Sequence, residues 1–149
     1  MQTIFIGVDP GTTGGIAALT EAGGVWAVVK MPATNAEILD VFRALKVSGE
    51  VKAYIEQVHT MPKQGIVSAF TFGKGLGGLH MALAACLIPF DEVAPGKWQK
   101  VMQCSSKGDK NVTKRRALEL FPTIKVTHAI ADALLIAEYG RRQERPTAW

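Results

Sequence analysis

The feature that most restricts the fold is a change of rhythm along the chain, from short β-type runs to alternating strand and helix patterns. Residues 3–8 (Thr-Ile-Phe-Ile-Gly-Val) are β-branched and aromatic and read as a strand. Residues 9–15 (Asp-Pro-Gly-Thr-Thr-Gly-Gly) are dense in turn formers. Two more apolar runs follow, 16–19 and 25–29, joined by a Gly-rich turn at 21–24. Three strands joined this way predict an antiparallel meander. Asn35 is expected to cap a helix running to Leu45, and 51–58 reads as a fourth strand. Residues 66–87 have helical character but are expected to break at Gly73, Gly75, Gly77 and Gly78. A fifth strand is expected at 88–93, and Pro95 opens a helix to Met102. Residues 103–111 read as a polar basic loop, 113–120 as a helix stopping before Pro122, and 129–141 as a last helix capped by Thr127. The tail 143–149 is expected to be loose. The pattern predicts an α/β chain with a five-stranded mixed sheet and helices on both faces, as one domain over 1–149.

The bulk numbers support a packed domain. The chain has 149 residues, 48% of them hydrophobic and 20% charged, enough to bury a core without staples. Cys86 and Cys104 make neither a disulfide framework nor a CxxC zinc motif. Cys86 is expected to be a small buried hydrophobe. With no basic leader and no apolar run near the roughly 20 residues that span a bilayer, the expectation is a soluble, cytoplasmic protein with no membrane partner. The net charge of +4 points only mildly to polyanions, but its distribution says more. Between residues 97 and 116 stand Lys97, Lys100, Lys107, Lys110, Lys114, Arg115 and Arg116 against Asp109 alone. A one-sided basic segment suits phosphate contacts, although a solvated helix face explains it too.

Three acids sit in apolar sequence. Asp9 follows the first strand at its C-terminal end, where ligands gather in sheets with helix crossovers. Glu56 ends another apolar strand. Were those strands neighbours, the carboxylates would face each other across about 5 Å and repel unless a cation lay between them. Asp132 lies among alanines and leucines, costly on a core-facing stripe. His128 is four residues earlier, on the same helical face. Carboxylate oxygens suit Mg²⁺ or Mn²⁺, and such a cluster with one or two ions is the apparatus of phosphodiester hydrolysis. Taken singly, Asp-Pro-Gly is a common turn, and a histidine near a helix start is more often a surface residue than a ligand.

Four segments together resemble one family. Ile-Gly-Val-Asp-Pro-Gly-Thr-Thr-Gly (6–14), Tyr-Ile-Glu-Gln-Val (54–58), Val-Ala-Pro-Gly-Lys-Trp (93–98) and Ala-Asp-Ala-Leu-Leu-Ile-Ala-Glu-Tyr (131–139) look like the RuvC-type Holliday junction resolvases, in the style of the phage and prophage branch. The resemblance implies an RNase H-like fold, a homodimer, and paired nicks across four-way DNA junctions with Mg²⁺ or Mn²⁺, in recombination and repair. It implies metal ligands at Asp9, Glu56 and Asp132, and a basic loop whose Lys110 approaches the scissile phosphate. Lys107, Lys114, Arg115, Lys100, Lys74 and His59 become candidate DNA contacts. The chain departs from the family at two places. His128 stands where the family usually has a fourth carboxylate, which suits Mn²⁺ better than Mg²⁺ or weakens a second metal site. His59 stands where some members carry an aromatic wedge. Phe70 or Phe72 is a candidate to stack instead, although both are expected in the core.

Other readings stay open at this point. A branched-DNA-binding protein with weak or no catalysis, and an RNA-directed nuclease on the same scaffold, share these residues. Gly-x-Asp-x-Gly-Thr-Thr also opens sugar-kinase-like ATP-binding domains, but those use two such domains, so no nucleotide cofactor is expected. No Gly-Lys-Ser/Thr follows the glycines, so this is not a Walker loop.

Overall fold

A computed structural model describes residues 2–59 and 61–144. Five strands, β1 (Thr3–Asp9), β2 (Gly15–Thr20), β3 (Val25–Lys30), β4 (Glu50–Glu56) and β5 (Phe90–Val93), form one sheet in the order β3-β2-β1-β4-β5. β1, β2 and β3 make the antiparallel meander, while β4 runs parallel to β1 and β5 parallel to β4. The helices are α1 (Asn35–Val47), α2 (Ile66–Ala85), α3 (Pro95–Val101), α4 (Lys110–Leu120) and α5 (His128–Glu144).

The alternation of side chains along the strands splits the core in two. Phe5, Ala17, Leu19 and Tyr54 face one side and pack with residues of α3, α4 and α5. Ile4, Ile6, Val8, Ile16 and Ile55 face the other, against α1 and α2. The fold is the mixed five-stranded sheet, helices on both faces, that the sequence pattern predicts.

α5 lies on the sheet more closely than ordinary side chains permit. A Cβ on Gly7 of β1 would overlap Ala133 O and Ala137 N and stand 2.9 Å from Ala137 Cα. On Gly140 of α5 it would overlap the Tyr54 ring. Two missing side chains, one on each element, let the helix backbone rest on β1 and β4. Ile130 to Arg141 are almost all buried as a result.

Several boundaries differ from expectation, each for a local reason. The cap of α1 is Thr34, not Asn35. Its hydroxyl accepts from Glu37 N–H at 3.2 Å and Glu37 answers to Thr34 N–H at 3.0 Å, a reciprocal capping box. α2 does not break at its four glycines. Each costs about 1 kcal/mol against alanine, but the Ala, Leu and Met around them continue the helix, and Leu79, Ala82 and Leu83 bury its inner side. α4 starts at Lys110 because Asp109 caps it, accepting from Asn111 N–H at 2.9 Å, so the basic loop is shorter than predicted. β4 ends at Glu56 and β5 begins at Phe90, each shorter than predicted. α5 continues through Gln143 and Glu144, so the expected loose tail does not begin there, and 145–149 lie outside the described residues. Cys104, rather than Cys86, is the buried thiol.

Candidate functional site: an acidic cluster at the strand ends

Asp9 closes β1 and Glu56 closes β4. The parallel register pairs Val8 with Ile55, so the two acids come next, side by side at the C-terminal ends of two central strands. Asp132 stands one turn into α5, the helix that Gly7 admits against β1. Strand pairing and helix seating thus bring together residues 47 and 76 positions apart in sequence.

The three half-buried acids feel one another. Burial, then repulsion from Asp132 and Glu56, pushes Asp9 up to about 8, with Lys110 partly offsetting it. Burial lifts Glu56 to about 7 against the opposing bond from Trp98, and Asp132 adds to the rise. Asp132 is also raised by burial, against a hydrogen bond from Thr113 and the nearby charges of Lys110 and His128. Carboxylates held at a cost in one place with too little positive charge are what a cation-binding or catalytic site requires. The donor set, carboxylate oxygens with an imidazole at the margin, fits a hard divalent cation. The acids are electrostatic neighbours rather than a closed cage: among the described residues no three His, Cys, Asp or Glu side chains stand at ligating distance from one point.

Of the basic residues singled out in sequence, Lys110 is the one drawn into this cluster, acting on both Asp9 and Asp132 from the first turn of α4. His128 begins α5 with its side chain exposed and its charge acting on Asp132. Lys107 occupies a left-handed position, φ 50°, in the turn before α4. Lys107, Arg115 and Lys100 are exposed and Lys114 half-buried, and none of the four has a carboxylate partner among the described residues. Arg116 is committed to the protein instead, donating to Met102 O and Glu119. Lys74 and His59 are exposed, and neither is among the charges that act on the three acids. Phe70 and Phe72 are not core residues as expected: Phe70 is 71% exposed and Phe72 half-buried. A groove of about 820 Å³ opens beside the β1–β2 turn, lined by Gly11, Thr12, Asn35, Thr71 and Phe72. None of the three acids lines it, so it flanks the cluster rather than containing it.

Two partners of the acids escaped the sequence reading. The fully buried Trp98 donates its indole N–H to Glu56 Oε2 at 2.8 Å, and Thr113 bonds Asp132. A signal existed for the first: a core tryptophan needs an acceptor for its N–H. Thr113 carries none, since nothing local distinguishes it from a helix-surface threonine.

The chain shares the RNase H-like fold, and solved RuvC structures match it over nearly its whole length. The solved structure of RuvC from Thermus thermophilus matches with a TM-score of 0.64 at 18% identity, over 94% of this chain and 96% of that one. The structure of T. thermophilus RuvC with a Holliday junction substrate matches with a TM-score of 0.64 at 17% identity, over 95% and 96%. At that identity the likeness is one of fold. Neither the family models nor the curated protein sequences gave a match.

Proposed function

We propose that this chain is a metal-dependent endonuclease that resolves four-way and related branched DNA junctions, working as a homodimer in the cytoplasm of a bacterial or phage-infected cell. The observation that carries the proposal is that Asp9, Glu56 and Asp132 are electrostatic neighbours beside Lys110 at the ends of the central strands. The resolvase fold of the neighbours and the sequence motifs at these same three residues support it.

In this reading Asp9, Glu56 and Asp132 hold Mg²⁺ or Mn²⁺, with His128 as a marginal further ligand. A cation there would supply activation of the attacking water and stabilisation of the leaving 3′ oxygen. Lys110 faces the scissile phosphate and offsets charge as the bond breaks. Lys107, Lys114, Arg115 and Lys100 grip flanking phosphates, while Lys74 and His59 reach the junction side. No helix among the described residues is long and apolar enough to cross a membrane.

The homodimer reading has its own support on α2. Ile66, Phe70 and Met81 are 89%, 71% and 68% exposed, and Gly73 and Gly77 lie between them at helical spacing with nothing within 4 Å of an added Cβ. An apolar stripe with a glycine floor suits close packing of a second copy.

The test is a substrate panel: four-way junction, fork, flap, plain duplex and RNA–DNA hybrid, each with Mg²⁺ and Mn²⁺. Paired nicks in the junction are expected, with duplex and hybrid spared. Tight junction binding without product makes the chain a binding protein, and preferential hybrid cutting makes it an RNA-directed nuclease.

A further inference from the structure

Glu56 is held from two sides. At the backbone, Gln57 N–H donates to Val93 O at 2.7 Å, tying the end of β4 to β5 and so to α3, which follows directly. At the side chain, Trp98 of α3 donates to Oε2 at 2.8 Å. The indole ring has no room to turn: it is 0% exposed and packs in the cluster that contains Val93, Met102, Cys104 and Ala117. An indole nitrogen carries one donor and no acceptor, so it can neither ligate a cation nor take a proton. What it can do is occupy one carboxylate oxygen and fix the plane of the group.

We propose that Trp98 is a positioning residue for the metal centre, holding Glu56 through Oε2 and so fixing the plane in which its carboxylate would meet the cation. The inference rests on the metal-dependent reading above and adds to it a constraint built into the sequence between β5 and α4. Buried partners that orient a ligand typically change metal affinity by about 10- to 100-fold when removed. Trp98→Phe keeps an aromatic ring in the core and deletes the donor, so it separates orientation from packing.

The experiment needs neither DNA nor turnover. The full chain holds three tryptophans, Trp26, Trp98 and Trp149, so its ¹⁵N spectrum carries three indole N–H signals. On titration with Mg²⁺ alone, the Trp98 indole signal should shift and saturate together with the backbone amides of Asp9 and Asp132, while that of the half-exposed Trp26 stays still. In Trp98→Phe the same two amides should saturate at about tenfold higher Mg²⁺. If those amides move while the Trp98 signal does not, or if Trp98→Phe binds Mg²⁺ as tightly as the parent, the positioning role is wrong and the metal reading stands. If nothing moves at any Mg²⁺ concentration, the metal reading itself fails. The wild-type titration decides the matter even if the variant folds poorly.

Discussion

The two ends of α5 handle buried acid in opposite ways. Near its C-terminus, Glu138 is 4% exposed and accepts from Arg141 Nε and Nη2 at 2.7 and 2.8 Å and from Arg142 Nε at 2.8 Å. Arg141 also donates to Glu21 O at 3.1 Å, fastening the helix to the β2–β3 hairpin. Burial would raise Glu138, but the bonds and charges of the two arginines more than cancel it, and its carboxyl sits below the ordinary range. One and a half turns earlier, Asp132 is raised, beside two strand acids that are raised as well. A chain that can neutralise an acid that well within one helix leaves three others short of positive charge. The first arrangement serves the fold. The second costs the fold stability, a cost that the proposed metal-dependent function would explain.

The largest effect expected from breaking this contrast is at Asp9. Asp9→Asn should abolish junction cleavage with both metals while raising the melting temperature of the metal-free protein. The amide removes a carboxyl that burial and its acidic neighbours disfavour in the ionised form, without changing shape. A gain of about 1 kcal/mol corresponds to roughly 2–4 °C for a chain of this size. Cleavage assays and thermal melting in EDTA check the two halves. A variant that loses both activity and stability would show that Asp9 serves the fold, and the contrast between the helix ends would go with it.

The opposite end should answer with the opposite sign. Glu138→Ala orphans Arg141 in the core and should cost about 3 kcal/mol, or roughly 6–12 °C in melting temperature. The double variant Glu138→Leu/Arg141→Met should recover most of the loss, because replacing a buried pair with apolar bulk is far cheaper than breaking it. Cleavage per folded molecule should change little in either. Urea titration measures the stabilities, and a double variant as weak as the single would mean that the ion pair contributes more than the avoidance of an orphaned charge.

The contrast also marks how far sequence alone reaches. Strand and helix positions were legible where the signal is local: the β-branched and aromatic run at residues 3–8, the apolar run at 51–58, and Pro95 at a helix start. Asp9, Glu56 and Asp132 were legible as acids out of place in apolar surroundings, and the structure brings them together. What was hidden depends on partners distant in the chain. Four glycines look like a helix break until Leu79, Ala82 and Leu83 are seen to bury against the sheet side. Phe70 reads as core by its type, yet it lies on the outer stripe of α2. The choice of Thr34 over Asn35 as cap turns on the reach of Glu37, one residue of register. The bond from Trp98 to Glu56 spans 42 residues and appears in no local pattern.

The smallest and most diagnostic effect is in pH. The carboxyls of Asp9 and Glu56 have folded values near 8 and 7, above their ordinary 3.8 and 4.5. Their folded forms hold the proton more tightly than the unfolded chain does, so their contribution to stability is complete below about pH 4 and is lost as pH rises through 7 to 8. Glu138 runs the other way: its folded value is depressed, so its contribution is present above 4.5 and lost only as pH falls below that. Between pH 5 and 8 the arginine end is therefore silent, and the acidic cluster contributes a falling slope. The metal-free protein should lose stability across that window, Asp9→Asn should flatten part of the loss, and Mg²⁺ should remove most of it by binding the ionised form. Melting curves at pH 5, 6, 7 and 8, with EDTA or with Mg²⁺, read all three. A profile that is flat in EDTA, or one that Mg²⁺ leaves unchanged, would mean that the acids at the strand ends are too well solvated to strain the fold, and the two ends of α5 would no longer differ in kind.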